Sequence, residues 1–552
     1  MINKQSVISK LESCKSIRQV KQVHSFMITT TLITHPIPLT KLIHSSLSGD
    51  LHHALSIFLH LHNPSLHLCN SMLRAFSTSQ HPYTTLSLYK HLHRLGLSPD
   101  HFTFPFALKV CAEMPDRTTG RCIHSRVVKT GYQLDAYVNA TLIRMYACCG
   151  DVDCAWSLFD TEKDLNVVTW TTMIAGYVAN GRACEAIALF KEMVVTGITP
   201  NEITMVHVLG ACAHARDLET GRWIHARTRS IVQCNVVLGT ALVDMYARCG
   251  SLRIAREVFD EMRERNQVTW NVMISGYNQY ERLDDVLRMF RGMSEAGLRP
   301  DKVTLLSLLG ACGGNGDLSL GQGVHGYVEK VNGGCWIDEE LGTSLMDMYI
   351  KSGDTESAVR VFRGLKRRDV VAWTSMVVGL AMNGDGKKAV KMFEEMSNEG
   401  IRPDGVAFVG VMSACSHAGM VDEGRKWFDS MQTVYGVRPE VEHYGCMVDL
   451  LSRAGRLQEA EGLLKMMPMS PSMQIWGAML SGCESYGEVQ AAERVRDQLA
   501  EFDPGGSGVY VLLSNLYAGA GRWVGAEGVR ELMWRRGVKK NLGLSSLQLK
   551  GS

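Results

Sequence analysis

Apolar residues along this chain recur three and four places apart, in stretches of about a dozen residues that Gly, Pro or Asn closes. Between Trp170 and Asn180 they fall at Trp170, Met173, Ile174, Tyr177 and Val178, which is one face of a helix. Gly181 interrupts that face, and a second stripe follows at Ala186, Ile187, Phe190 and Met193 before Gly197 and Pro200 end it. The pattern predicts a helical hairpin. Its phrase repeats: Trp170, Trp270, Trp373 and Trp476 lie in VTWTTMIAGY, VTWNVMISGY, VAWTSMVVGL and QIWGAMLSGC. Asp100, Asn201, Asp301 and Asp404, each directly after a proline, keep the same beat of about 100 residues. Two further hairpins lie within each block, so the repeat period is about 30 to 37 residues. Neither helix can bury its stripe alone. The predicted fold is therefore all-α, a solenoid superhelix of stacked helix-turn-helix units with a concave inner surface.

Three kinds of hairpin alternate. Units of the Trp170 kind span 66–100, 167–201, 267–301 and 370–404, the first with Cys69 in place of the tryptophan. A second kind opens with HFTFPFALKVCA, EITMVHVLGACA, KVTLLSLLGACG or GVAFVGVMSACS, and three of its four copies continue to Gly120-x-x-x-His124, Gly221-x-x-x-His225 and Gly321-x-x-x-His325. A third, shorter kind runs 136–166, 236–266 and 339–369 and carries TLIRMYACCGD, ALVDMYARCGS or SLMDMYIKSGD. Residues 1–65 fit one worn copy each of the second and third kinds, anchored by Cys14, His24 and Gly49. The fourth copy of the second kind reaches about residue 440 and an altered third kind about 472, for about fourteen units in all.

Composition narrows the chemistry. With 45% hydrophobic and 21% charged residues the chain has the make-up of a folded protein, and no run approaches the roughly 20 apolar residues of a membrane span. No membrane association is expected. The 16 cysteines recur at fixed repeat positions (Cys111, Cys212, Cys312 and Cys415; Cys149 and Cys249), as small buried packing residues would. None are spaced C-x-x-C, which argues against zinc, and a chain with so large a core of its own argues against a disulfide scaffold. A net charge of +2 excludes wholesale phosphate neutralisation as a binding mode. An RNA partner would have to be recognised through its bases.

On these phrases the sequence resembles the pentatricopeptide repeat proteins of plant organelles, in the class that alternates P, L and S type motifs. The resemblance covers essentially the whole chain: worn L and S repeats at 1–65, the repeat array at 66–472, a stretch similar to a first E motif at 473–507, and at 508–552 a stretch similar to a second E motif with a tail. It implies binding to one site in a single-stranded organellar RNA and direction of one C-to-U conversion. A zinc deaminase needs H-x-E and C-x-x-C patterns, and neither occurs here. The chain ends in LGLSSLQLKGS, where the family's deaminase extension would only be starting. The expectation is a protein that is not an enzyme and has no catalytic residue, metal or cofactor. It would be monomeric alone and would recruit a deaminase-bearing pentatricopeptide repeat protein or other editing factors in trans through its E-like region.

The residue after each tryptophan lies off the apolar stripe near the start of the first helix, so its side chain is expected to face the groove. The resemblance implies that this fifth residue of each unit, with the unit's last residue, chooses one base. The pairs are Asn70 with Asp100, Thr171 with Asn201, Thr240 with Asn266, Asn271 with Asp301, Thr343 with Asp369, and Thr374 with Asp404. By the resemblance Thr with Asn implies adenine, Thr with Asp guanine, and Asn with Asp uracil over cytosine; a hydroxyl serves either purine and its amide or carboxylate partner decides which. The implied target is, from the 5′ end, pyrimidine, two unread, A, one unread, A, pyrimidine, one unread, G, G, two unread. The edited cytidine would lie a few nucleotides downstream. The unread places correspond to Pro105, Ala140, Val206, Leu306, Val409 and Gly445. By the same resemblance the second residues (Val168, Val268, Val371, Phe102, Tyr137) wedge against base faces, and aromatic stacking contributes about 1–3 kcal/mol per base.

Plainer roles compete. Asp100, Asn201, Asp301 and Asp404 fit helix N-caps, worth about 1 kcal/mol each, and capping and recognition are compatible. The tryptophans lead the apolar stripe and read as core. His124, His225 and His325 recur too regularly for an active site and read as packing residues with a satisfied ring nitrogen. Arg535, Arg536, Lys539 and Lys540 read as a solvated helix end. Competing functions are an organellar RNA-binding factor for stability, splicing or translation, and a helical-repeat protein-interaction scaffold, whose W-x-x-L-G-x-x-Y signature is absent. Before Asp50 the sole acidic residue is Glu12, among several Lys, Arg, Ser and Thr, the composition of an organellar presequence. The mitochondrion is the expected compartment and the chloroplast the alternative.

Overall fold

The computed structural model describes residues 4–30, 32–61, 63–79, 81–162, 165–331, 338–501, 507–535 and 538. Among them all regular structure is helical, with thirty-two α-helices and two short 3-10 turns. Helices follow one another as antiparallel hairpins, and the fold is an all-α repeat solenoid. Two compact units divide the chain, Met1–Gly276 and Tyr277–Ser552.

In the first unit, the hairpin of Val167–Ala179 and Ala183–Val195 shows how the sequence builds each repeat. Asn166 opens it by accepting from the backbone N–H of Val168 and Thr169 at 2.9 and 3.1 Å, which satisfies donors that have no partner within the helix. Gly181, at φ +73°, turns the chain between the helices. Trp170 is buried and meets the Phe159 ring edge to face at 5.0 Å, and Trp270 meets Phe259 in the same way at 4.8 Å. The indole nitrogens of both find no hydrogen-bond partner among the described residues. Buried carbon contact, rather than polar readout, is what these tryptophans supply.

First helices stack on first helices. Val167–Ala179 packs between Ala136–Cys148 and Glu202–Ala215. Gly176 allows that approach, since a Cβ there would stand 2.8 Å from the Ala147 Cβ. Asn180 then ties the layers, its Nδ2 donating to the Ala147 and Gly176 carbonyls at 2.8 Å each. In the second unit Asn383 does the same to Ile350 at 3.1 Å and Gly379 at 2.9 Å, and Trp373 stands edge-on to Phe362 at 4.6 Å.

The Gly-x-x-x-His phrase of the second kind of hairpin also has a packing origin. A Cβ at Gly120 would run into the Met145 Sδ, so the methionine side chain would have to shift to admit it. One turn on, His124 Nδ1 is 2.8 Å from the Tyr146 hydroxyl, and His225 pairs with Tyr246 at 3.0 Å and His325 with Tyr349 at 2.9 Å. Burial lowers all three imidazole pKa values, which keeps these rings neutral. Cys111, Cys212, Cys312 and Cys415 are buried, their thiols pushed up to about 12 by desolvation.

Residues 4–61 hold four helices, Lys4–Ser13, Ile17–Thr29, Pro36–Leu47 and Leu51–Leu59. His24 Nδ1 lies 2.9 Å from His53 Nε2, and Gly49 sits against Ile17. Toward the C-terminus come Met473–Tyr486, Val489–Glu501, Ser507–Gly519 and Trp523–Arg535. Arg535 pairs with Glu531 at 2.7 Å on the exposed end of the last helix. Arg536, Lys539, Lys540 and the LGLSSLQLKGS tail lie outside the described residues. Among the described residues no helix is long and apolar enough to cross a membrane.

Candidate nucleic-acid interface

The last residue of each unit of the Trp170 kind or of the short kind caps the opening turn of the next first helix. Its side-chain oxygen accepts a backbone N–H at 2.9 Å for Asp100, 2.8 Å for Asn201, 3.0 Å for Asn266, 2.9 Å for Asp301, 2.9 Å for Asp369 and 2.8 Å for Asp404. Asn201, Asn266, Asp369 and Asp404 remain exposed while capping, and Asp100 and Asp301 are half-buried. Capping uses one oxygen of each side chain. These capping groups stand at the edge where the first helices begin.

Stacking brings fifth and last residues together at four of the six pairs. Asn70 Nδ2 donates to both Asp100 carboxylate oxygens, at 3.0 and 3.2 Å. Thr374 Oγ1 donates to Asp404 at 3.5 Å. Thr171 reaches Asn201 through Thr204, whose hydroxyl is 2.7 Å from Thr171 Oγ1 and donates to Asn201 Oδ1 at 2.8 Å. Thr240 reaches Asn266 through Thr269 likewise, at 2.7 and 3.0 Å. Thr343 and Asp369 are not joined: Thr343 donates to the Glu339 carbonyl at 2.7 Å, and Asp369 only caps. Asn271 lies on Gln267–Gln279 in the first unit. Asp301 lies in the second, where it forms a capping box with Thr304.

One expectation is corrected here. The residue after each tryptophan does not stand open on the groove: Thr171, Asn271 and Thr374 are only 9%, 7% and 8% exposed. For Thr171 the cause is the next hairpin, whose first helix lays Thr204 over its hydroxyl, while Thr171 also bonds back to the Val167 carbonyl at 2.6 Å. For Thr171 and Thr374 the exposed partner is the terminal residue, Asn201 or Asp404, and the fifth residue sits beneath it. Asn70, Thr240 and Thr343 are half-buried.

Electrostatics favours an ionised Asp100. Burial pushes its carboxyl up, but hydrogen bonds from the Thr103 hydroxyl and backbone and from Asn70 outweigh that and hold it below the usual carboxylate range. It is an acceptor at neutral pH. Among the positions expected to go unread, Pro105 and Ala140 are buried and Val206, Leu306, Val409 and Gly445 half-buried.

Beside the pairs, the second residue of the unit is apolar and more than half exposed at Phe102, Tyr137, Val168, Val268 and Val371. Ile203, Val237, Val406 and, at half exposure, Val303 occupy equivalent places that the sequence reasoning did not name. So many large apolar side chains left in water at one register of the repeat mark a contact surface. The third-place threonines Thr103, Thr204, Thr269 and Thr304, all fully buried, were also missed. Their signal is present in the phrases HFTF, EITM, QVTW and KVTL. Among the described residues no group of three or more His, Cys, Asp or Glu could hold a metal ion.

This repeat geometry matches known proteins. A pentatricopeptide repeat-containing protein of Arabidopsis thaliana is 43% identical over 556 residues, covering 98% of each chain. The chain belongs to the pentatricopeptide repeat family. Models of the pentatricopeptide repeat match at 165–214, 265–314 and 368–417, and at 141–161, 240–267, 343–370, 406–434 and 442–470. The E motif model matches 486–548, which makes this a pentatricopeptide repeat protein of the E subgroup. Two further A. thaliana relatives, one a mitochondrial and one a chloroplastic pentatricopeptide repeat-containing protein, are each 36% identical, covering 99% and 98% of this chain and 85% and 78% of theirs. The crystal structure of the pentatricopeptide repeat protein PPR10 in complex with an 18-nt psaJ RNA element superposes with a TM-score of 0.59 at 18% identity, covering 97% of this chain and 87% of that one.

Proposed function

We propose that this pentatricopeptide repeat protein binds one site in a single-stranded organellar RNA and designates a cytidine there for conversion to uridine by a deaminase supplied in trans. The observation that carries the RNA-binding part is the coupling of fifth and last residues at the starts of successive first helices, as in Asn70 with Asp100 and Thr374 with Asp404. Single-stranded RNA offers its Watson–Crick edges to such groups, one base per helical repeat. Exposed Asn201, Asn266, Asp369 and Asp404 meet the base edge, and the apolar residues at the second places pack on base faces. The RNA complex of PPR10 supports the same use of the same fold.

The E motif at 486–548 favours editing over stabilisation, splicing or translation. The chain's own contribution is to bind and position. The relatives named for mitochondrion and chloroplast support an organellar site of action, and the presequence-like composition before Asp50 favours the mitochondrion, with the chloroplast as the alternative. Sequencing organellar transcripts from a plant lacking this protein tests the reading. Loss of one C-to-U event downstream of the implied string is expected; a missing or unspliced transcript with every edit intact would overturn the editing role.

A further inference from the structure

Asparagine poses a problem for any base-reading pair that a carboxylate does not. Its amide has a donor end and an acceptor end, and turning it over exchanges them, whereas a carboxylate is the same both ways round. The third residue of the following unit separates the six pairs along this line. It is threonine wherever the pair contains an asparagine: Thr103 after Asn70/Asp100, Thr204 after Thr171/Asn201, Thr269 after Thr240/Asn266 and Thr304 after Asn271/Asp301. It is alanine, Ala372 and Ala407, after Thr343/Asp369 and Thr374/Asp404, which contain none.

Where fifth and last residue lie in the same unit, the hydroxyl of that threonine lies on the amide oxygen. Thr103 Oγ1 is 2.7 Å from Asn70 Oδ1, Thr204 Oγ1 is 2.8 Å from Asn201 Oδ1 and Thr269 Oγ1 is 3.0 Å from Asn266 Oδ1. All three threonines are fully buried, so these hydroxyls have no water to turn to; Thr103 shares its hydrogen between Asn70 and the Asp100 carboxylate, which lies 2.8 Å away. Asn201 Oδ1 also takes the Thr204 backbone N–H at 2.8 Å, which fixes it as the oxygen end. Two donors then occupy that oxygen. What Asn201 shows to the outside is its NH2. Because Thr204 has a single hydrogen and gives it to Asn201, it has none for Thr171; the one hydrogen of Thr171 is itself spent inside the protein, on Thr204 Oγ1 at 2.7 Å or on the Val167 carbonyl at 2.6 Å, so toward a base Thr171 can only accept. A donor at Asn201 beside an acceptor at Thr171 suits the N1 acceptor and N6–H2 donor of adenine and opposes the N1–H donor and O6 acceptor of guanine.

We infer that the buried Thr103, Thr204 and Thr269 are specificity-determining positioning residues, which lock Asn70, Asn201 and Asn266 so that one end of each amide faces the RNA. The inference rests on the RNA-reading role proposed above, and the recognition unit becomes a triad rather than a pair. Thr204 and Thr269 make their pairs adenine readers. Ala372 and Ala407 suffice where the terminal group is a carboxylate that needs no orientation.

The test is competition binding of the full chain to a synthetic single-stranded RNA carrying the implied string, with A or G at its fourth place, which faces Thr171 and Asn201. Thr204→Val is nearly isosteric and deletes only the hydroxyl. It is expected to lower the A-over-G preference by about two- to tenfold, the worth of one hydrogen bond, with the preference at the tenth place, read by Thr374 and Asp404, unchanged. Thr204→Ser restores the wild-type ratio. Should Thr204→Val not fold, Thr269→Val against the sixth place gives the same readout. An unchanged A-over-G ratio in a folded valine variant overturns the inference, as does equal loss in the serine variant or equal loss at the tenth place. If instead the wild-type chain itself shows no preference at the fourth place, and Asn201→Ala changes nothing, the RNA-reading role fails and not merely the triad.

Discussion

Asn70 and Asp100 are separated by 30 residues, the greater part of a repeat, yet the Asn70 amide donates to both oxygens of the Asp100 carboxylate at 3.0 and 3.2 Å. The same carboxylate accepts the Phe102 and Thr103 N–H groups and so starts the next helix. The proposed recognition pair and the helix cap are one structure here. Replacing Asp100 by Ala removes both, and is expected to cost about 1 kcal/mol of stability in urea unfolding and to abolish the pyrimidine preference at the first place of the RNA string. Asp100→Asn keeps a cap and is expected to cost only a few tenths of a kcal/mol.

At the Thr374 pair the side chains touch directly, at 3.5 Å, and the terminal group is an exposed carboxylate. Asp404→Asn keeps the cap on Ala407 but replaces an acceptor by a group that can donate. Guanine preference at the tenth place is expected to fall about tenfold, within the 1–3 kcal/mol of a matched base contact, with adenine gaining. Competition binding with G or A at that place checks it.

How much of this was legible in the sequence follows from what each residue depends on. Trp170 and its counterparts could be assigned to the core because helical periodicity alone fixes which face is buried. The caps at Asn201, Asp301 and Asp404 could be read because capping is local. His124 could be read as a packing residue, but Tyr146, its partner, could not, since nothing local joins positions 22 residues apart. The exposure of Thr171 was misjudged for the same reason: its own helix leaves it off the stripe, and only the neighbouring hairpin, through Thr204, covers it. The threonines themselves were visible as a repeated letter. Their role needed the distances.

Stability should depend on the interior of the hairpin more than on its edge. Trp373 is fully buried against Phe362, and Trp373→Ala is expected to destabilise by about 3–5 kcal/mol. Gly176→Val, which puts a branched side chain where even a Cβ would stand 2.8 Å from Ala147, is expected to separate two first helices. Hydrogen exchange should then lose protection around Ala136–Cys148 and Val167–Ala179 first, because repeat stability is carried by nearest-neighbour interfaces. Uniform loss across the chain would contradict this.

Acid should loosen the fold through its buried imidazoles. Burial depresses the pKa values of His124, His225 and His325 below the ordinary 6.5, so the unfolded chain binds protons more readily than the native one. Their contribution to stability is complete above about pH 6.5 and is lost as pH falls below that value toward the folded pKa values. The unfolding midpoint is expected to drop across this range, and less steeply in a His124→Gln, His225→Gln, His325→Gln triple variant. An identical pH profile for the two proteins would rule the histidines out as its source.

The central claim is that stacked hairpins decode unpaired RNA at one base per repeat. It is tested most directly by selecting ligands for the purified chain from a random single-stranded RNA pool and sequencing the bound fraction. The account predicts enrichment of a pyrimidine, two unspecified bases, A, one unspecified base, A, a pyrimidine, one unspecified base and then GG, in that order and spacing. A bound fraction with no motif, or with one whose spacing bears no relation to the order of these pairs, would contradict it.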